Sequence, residues 1–325
     1  MRIIIYGAGG IGGVMGGHLA RTGHDVVLIG RPGHVNAINK NGLKFIAPAG
    51  TEYLKIPAVT GPEQIKYGPD DAVCLTMKGQ NTEEAMKDLK KVVDDVPVFS
   101  FQNGIRNEEI ISRYFPRAYG AMVRVGSVYL NDGEIIARRD PPGWFIIGRY
   151  PKGKDNIAES VAEQLRKASF YVKTVEDVIP YKWGKLMANL GNAIGAITNA
   201  RWGEMGHIMQ AAQKELSDLL DEAGVNWISQ EQVSKEWPEI NESLKGSIPS
   251  EAQSSTWQSL AREQGTVETE FINGEVVRLA ASLGKKAPIN EKLLSITLEM
   301  AANRDHPGKY TPEELSGMLG LAQES

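Results

Sequence analysis

The chain opens with an apolar run, Met1-Arg-Ile-Ile-Ile-Tyr6, that passes directly into Gly7-Ala-Gly-Gly-Ile-Gly12, with a helix-like segment from Val14 to Thr22 behind it. Gly7, Gly9 and Gly12 therefore stand at GxGxxG spacing. Between a strand and a helix this spacing commits the chain to a βαβ unit with a dinucleotide site, because each glycine answers a separate steric demand. Gly7 permits a tight turn, Gly9 lets the backbone approach a pyrophosphate, and Gly12 lets the helix pack on the strand. The start of the helix offers its N–H groups to the phosphates. Gly7, Ala8, Gly9, Gly10, Ile11 and Gly12 are the cofactor-binding residues this reading expects.

The form of the dinucleotide is read at the end of the second strand, Asp25-Val-Val-Leu-Ile-Gly-Arg31. An NAD site places a carboxylate there for the ribose 2′-hydroxyl, whereas an NADP site needs positive charge. No acid closes this strand, and Asp25 opens it, too far back to reach the ribose. Arg31 presents a planar fork suited to a phosphate. The expected cofactor is NADP(H).

With 325 residues the chain can hold two domains. A net charge of −4 speaks against a broad polyanion-binding face, so no nucleic-acid partner is expected. The single cysteine, Cys74, falls in the apolar run Ala72 to Met77 and has no internal partner for a disulfide. No run approaches the ~18 apolar residues of a membrane span. A cytoplasmic setting without membrane association is expected. The five histidines show no ligand spacing, so no metal is expected either.

Strand and helix patterns alternate through the first half: strand 2–6, helix from about 10, strand 25–29, helix 32–41, strand 71–76, helix 80–92, strand 97–100 and helix 106–113. That is the rhythm of a parallel sheet covered by helices. Further strands are expected near 43–58, 119–138 and 144–149, with Asn131-Asp-Gly133 as a hairpin turn. From Tyr181 onward the patterns are helical. The fold class is α/β: a Rossmann-type dinucleotide-binding domain over 1–177, then an all-helical domain over 178–325 for substrate and dimerisation.

One helical stretch in the second half carries chemistry. In Tyr181-Lys-Trp-Gly-Lys-Leu-Met-Ala-Asn-Leu-Gly-Asn-Ala-Ile-Gly-Ala-Ile-Thr-Asn199, residues Lys185, Asn189 and Asn192 fall at i, i+4 and i+7. The rest of the segment is largely apolar, so it reads as a buried helix with a polar stripe. Such a stripe must meet polar partners or a polar cavity.

Together these features resemble the ketopantoate reductases. The resemblance rests on the glycine loop with Arg31, Lys78 after Leu75-Thr-Met77, the Gln102-Asn-Gly104 turn, and Trp183-Gly-Lys185 leading to the asparagines. It extends to Glu268-Thr-Glu-Phe-Ile-Asn-Gly274, so it spans nearly the whole chain. It implies NADPH-dependent reduction of a small 2-oxo acid, 2-dehydropantoate to pantoate in pantothenate biosynthesis. The alternatives are a relative acting on a different 2-oxo acid or ketone, or a non-enzymatic NADP-binding regulator.

By that resemblance Lys185 is the catalytic lysine, Asn103 and Asn189 hold the substrate, and Lys78 and Asn103 lie by the cofactor. Glu268 matches a glutamate that orients either Lys185 or a ribose. Ser254-Ser-Thr-Trp-Gln258 matches a substrate-contacting serine segment in which Ser255 and Thr256 compete for the role. Two departures touch substrate recognition. Asn192 follows Asn189 by three residues where the family has four, and one extra residue separates Gln258 from Glu268. A homodimer is the default assembly.

Overall fold

Period-two burial builds the first strand. Ile3 and Ile5 face one side of a sheet and Ile4 the other, all three fully buried. In the computed structural model, which describes residues 1–204, 206–244, 248–249 and 253–321, the order begins β1 (Arg2–Tyr6), α1 (Gly10–Arg21), β2 (Val26–Ile29) and α2 (Pro32–Asn41). It continues through β3 (Leu43–Ala47), β4 (Gly50–Leu54), β5 (Ala58–Val59), β6 (Asp71–Leu75), α3 (Thr82–Lys90), β7 (Val98–Ser100) and α4 (Asn107–Ser112). Then come β8 (Ala118–Val125), β9 (Ser127–Val128), β10 (Glu134–Ala137), β11 (Gly143–Arg149), α5 (Asn156–Lys167) and β12 (Tyr171–Thr174).

Eight strands form one sheet in the order β12-β11-β8-β7-β6-β1-β2-β5. The six from β8 to β5 are parallel, as the alternating pattern expects. β11 and β12 run the opposite way, because β11 pairs antiparallel with β8. On one face α3 and α4 bury Met86, Leu89 and Ile111 against Ile4, Val73 and Val98. The other face carries α1, α5 and an aromatic row in which Phe99 stacks on Tyr119 at 4.2 Å and Phe101 meets Phe145 edge-on at 5.1 Å. Cys74 is completely buried in β6, and burial pushes its thiol well above the ordinary range.

A second sheet, β4-β3-β10-β9, lies over α1. It can do so because α1 has no side chain at Gly17, where a Cβ would stand 2.3 Å from the Phe45 ring. The expected hairpin is present: β9 and β10 pair antiparallel, and Gly133 closes the turn at φ +77°.

The helices that follow are α6 (Ile179–Asn189), α7 (Gly191–Thr198), α8 (Gly206–Glu222), α9 (Gln230–Glu236), α10 (Ser255–Ala261), α11 (Asn273–Ser282), α12 (Pro288–Ala302) and α13 (Pro312–Met318). The chain divides into one unit of residues 1–182 and 229–249 and another of 183–228 and 250–325. The division differs from a single boundary at 177/178, since residues 229–249 return to the first unit. There Trp237 stacks on Tyr181 at 5.7 Å, Glu239 pairs with Lys173 at 2.5 Å, and the Ile248 N–H donates to the Arg138 carbonyl at 2.8 Å. In the second unit α7, α8, α11 and α12 enclose Ile194, Ile197, Leu216, Val276, Leu293 and Met300. Among the described residues no helix is long and apolar enough to cross a membrane.

Candidate active site

The turn after β1 has the geometry that its glycines require. Gly7 sits at φ +117°, and a Cβ there would stand 2.4 Å from the Met77 backbone nitrogen. At Gly12 a Cβ would fall 2.3 Å from the Gly7 carbonyl oxygen and 2.5 Å from Thr76 Oγ1. Thr76 Oγ1 donates to that same carbonyl at 2.7 Å, and the Gly7 and Ala8 N–H groups donate to the Ile29 carbonyl at 2.9 and 3.0 Å. The loop is thus bonded to β2 and β6 independently of any ligand.

Gly9 caps α1 without a side-chain hydrogen bond, and no acid lies in the first turn. The positive end of the helix is left for an anion. Beside Gly9 the nearest atom to a Cβ position is Tyr129 Cδ1, at 3.8 Å, so a phosphate can approach the backbone there. Gly10 and Ile11 are half-buried, while Ala8 is buried. This cradle fits a dinucleotide pyrophosphate.

Arg31 is exposed and caps α2, with Pro32 behind it, and no carboxylate closes β2. Lys78 lies just past β6 and is half-buried at the head of a short turn, Gly79–Asn81. Asn103 follows β7 in a loop held by side chains. Gln102 Nε2 donates to the Met77 carbonyl at 3.0 Å and to Thr82 Oγ1 at 2.8 Å, and Asn107 Nδ2 donates to the Asn103 carbonyl at 2.7 Å. The glycine loop, Arg31, Lys78 and Asn103 therefore follow the C-terminal ends of β1, β2, β6 and β7, four neighbouring strands. Open α/β sheets bind ligands at that edge.

The second-half candidates of the polar stripe fall on two consecutive helices. Lys185 and Asn189 share α6 one turn apart and are half-buried; α6 ends at Asn189, and Asn192 is the second residue of α7, which opens at Gly191. Next to the interruption, the Met187 carbonyl accepts from Gln213 Nε2 at 3.3 Å. Leu190 nevertheless keeps right-handed helical backbone, and its N–H donates to the Leu186 carbonyl at 3.1 Å. The Asn192 carbonyl accepts from Ser254 Oγ, at the start of α10, at 3.4 Å.

Ser254, rather than Ser255 or Thr256, is the cap of α10, accepting from the Trp257 N–H at 3.2 Å. Ser255 is exposed, and Thr256 is buried with an Oγ1 that has no partner among the described residues. Glu268 is buried at 5% exposure just before α11. Lys182, three residues before Lys185, is committed to a buried ion pair with Glu108. Sequence reasoning missed that pair, whose two members lie 74 positions apart. Among the described residues no group of three His, Cys, Asp or Glu side chains could hold a metal ion.

A parallel sheet with a phosphate-cradling first turn, followed by a helical unit with a lysine on a half-buried face, defines a nucleotide-dependent oxidoreductase of Rossmann type. The family described as ketopantoate reductase PanE/ApbA matches residues 3–152, and its C-terminal counterpart matches residues 177–301. The chain belongs to the ketopantoate reductase family, and it is an oxidoreductase. Over 294 residues it is 34% identical to the 2-dehydropantoate 2-reductase of Pyrococcus horikoshii, covering 89% of this chain and 94% of that one.

The crystal structure of a PanE/ApbA family ketopantoate reductase from Ralstonia eutropha is 26% identical with a TM-score of 0.78, covering 94% of this chain and all of that one. D-mandelate dehydrogenase, solved in a ternary structure with NADH and anilino(oxo)acetate, shares the fold at 21% identity and a TM-score of 0.77, over 94% and 99% of the two chains. Family membership and the glycine-loop geometry together support a nicotinamide dinucleotide cofactor.

Proposed function

We propose that the chain reduces 2-dehydropantoate to pantoate with NADPH, as a step of pantothenate biosynthesis. The observation that carries the substrate is the Pyrococcus horikoshii relative, named for that reaction and matched over 94% of its length. The cofactor form rests on Arg31 at the end of β2, where the NAD-type acid is missing. Gly7 to Gly12 hold the pyrophosphate, Arg31 the 2′-phosphate, and Lys78 and Asn103 the edge of the cofactor site.

NADPH, when bound, supplies the hydride for the carbonyl carbon. The chain itself manages charge and the proton. Lys185 Nζ stabilises negative charge on the carbonyl oxygen and donates the proton that makes it a hydroxyl. Asn189 and Asn103 hold the carboxylate or hydroxyl of the substrate, Glu268 orients Lys185 or a ribose, and Asn192, Ser255 and Thr256 are the remaining substrate-side candidates.

A second reading, a different 2-oxo acid, is favoured by the spacing of Asn192, three residues after Asn189 where the family has four. The test is NADPH oxidation followed across ketopantoate, pyruvate and branched 2-oxo acids. Turnover of ketopantoate at the highest kcat/KM supports the first reading, and a preference for another acid by tenfold or so replaces it with the second.

A further inference from the structure

The loop between β9 and β10 is a strap laid across two helix starts. At its first end, Ser127 Oγ lies 2.6 Å from where a Cβ on Gly10 would stand, and the Tyr129 ring borders Gly9. At its far end, Asp132 Oδ2 lies 2.3 Å from where a Cβ on Gly33 would stand, in the first turn of α2. Two further contacts fix the strap to α2: the Tyr129 and His34 rings meet at 4.7 Å, and the Gly133 N–H donates to His34 Nδ1 at 2.8 Å. Tyr129 Oη donates to Asp132 Oδ1 at 2.8 Å, which aims the carboxylate.

These two helix starts are where a βαβ unit places the pyrophosphate and the adenosine ribose. The end of β2 has no acid of its own, yet a carboxylate from a different element lies against Gly33, in the first turn of the helix that follows β2. We propose that Asp132 is a second cofactor-discriminating residue, accepting from the 2′-hydroxyl of an adenosine ribose, opposing a 2′-phosphate, and so limiting how far Arg31 favours NADPH over NADH. The proposal rests on the reading of the glycine loop as a nicotinamide dinucleotide site, and is independent of Lys185 and of the substrate.

Asp132 and Arg31 are both exposed, so their fields reach a phosphate through water and are weakened by salt. An effect of about threefold to tenfold on affinity is the expected scale. Calorimetric titration of the parent chain, Asp132→Asn and Tyr129→Phe with NADPH, NADH and adenosine 2′,5′-bisphosphate tests it without turnover. Asp132→Asn should bind NADPH and the bisphosphate about threefold to tenfold more tightly and NADH several-fold more weakly, with the NADPH gain shrinking in high salt. Tyr129→Phe, which removes only the hydroxyl that aims the carboxylate, should move in the same direction by less.

Unchanged NADPH affinity in Asp132→Asn, or an equal shift for both dinucleotides, overturns the proposal. A parent that binds neither dinucleotide overturns the reading beneath it and this proposal together. A parent that prefers NADH, with Asp132→Asn still tightening NADPH, supports the role of Asp132 and overturns the NADPH assignment alone.

Discussion

Lys182 and Glu108 form an ion pair from which solvent is excluded, their side chains 2% and 0% exposed. Gly120 leaves the space for it, since a Cβ there would stand 3.0 Å from Glu108 Oε1. Glu108 Oε2 has no partner among the described residues, so the pair alone compensates the buried carboxylate. Removing either member strands a charge in the interior, and Glu108→Ala or Lys182→Ala should each cost about 3–5 kcal/mol. The double replacement Glu108→Leu with Lys182→Met should cost less than either. Urea unfolding of the three variants checks this, and single-variant losses under about 1 kcal/mol would show that water reaches the pair.

Gly12→Ala tests the glycine loop. The added carbon meets the Gly7 carbonyl at 2.3 Å, a backbone atom tied down by Thr76, so α1 must move away from β1. NADPH affinity measured by fluorescence should fall more than about tenfold while the circular dichroism spectrum stays close to the parent's. Retained affinity would mean that the phosphates bind elsewhere.

Arg31→Ala should separate the two cofactors. Loss of a guanidinium at a 2′-phosphate should raise KM for NADPH by about tenfold or more and leave that for NADH nearly unchanged. Equal losses for both would place Arg31 away from the ribose.

The proton donor is tested at Lys185. Lys185→Ala should lower kcat by on the order of 10²-fold with NADPH affinity unchanged, and Lys185→Arg should restore only part of it, because a guanidinium hardly ever yields its proton. Steady-state kinetics beside a binding titration distinguishes the two effects. Near-parental turnover in Lys185→Ala would assign the proton to another group.

His18 predicts an acid-labile step. It is 4% exposed, edge-on to Phe45 and Phe170 at 5.3 and 5.4 Å. Burial, reinforced by Arg21 and opposed by Asp140, pushes its imidazole down to about 4 from an ordinary 6.5. The unfolded chain then binds the proton more readily, so stability is intact above about 6.5 and is lost as pH falls from there to about 4, by roughly 3 kcal/mol. Denaturant unfolding across that range checks it, and His18→Leu should remove this part of the slope.

What the sequence disclosed and what it withheld follow a physical division. The glycine loop was legible because local backbone demands dictate glycine there, and Arg31 because the strand before it ends without an acid, whereas Lys78 and Asn103 were reached only through the family resemblance. α5 and β12 were not foreseen, although Asp155 accepts from the Ile157 and Ala158 N–H groups and marks the helix start. Gln213 Nε2 meets the Met187 carbonyl beside the break between α6 and α7, and Trp237 meets Tyr181 where residues 229–249 return to the first unit. Both are contacts between distant positions that no local pattern encodes. The strap over Gly9 and Gly33 was visible only as a hairpin turn, with nothing to say what it covers.

Cys74 gives the chain a built-in stopwatch. Its sulfur is fully enclosed in β6, between β1 and β7, and its thiol is held protonated by burial. A thiol reagent therefore has nothing to attack until the central strands part. With a single cysteine in the chain, the rate of labelling counts openings of the sheet itself, and a bound cofactor that steadies the sheet should slow it without any engineered probe.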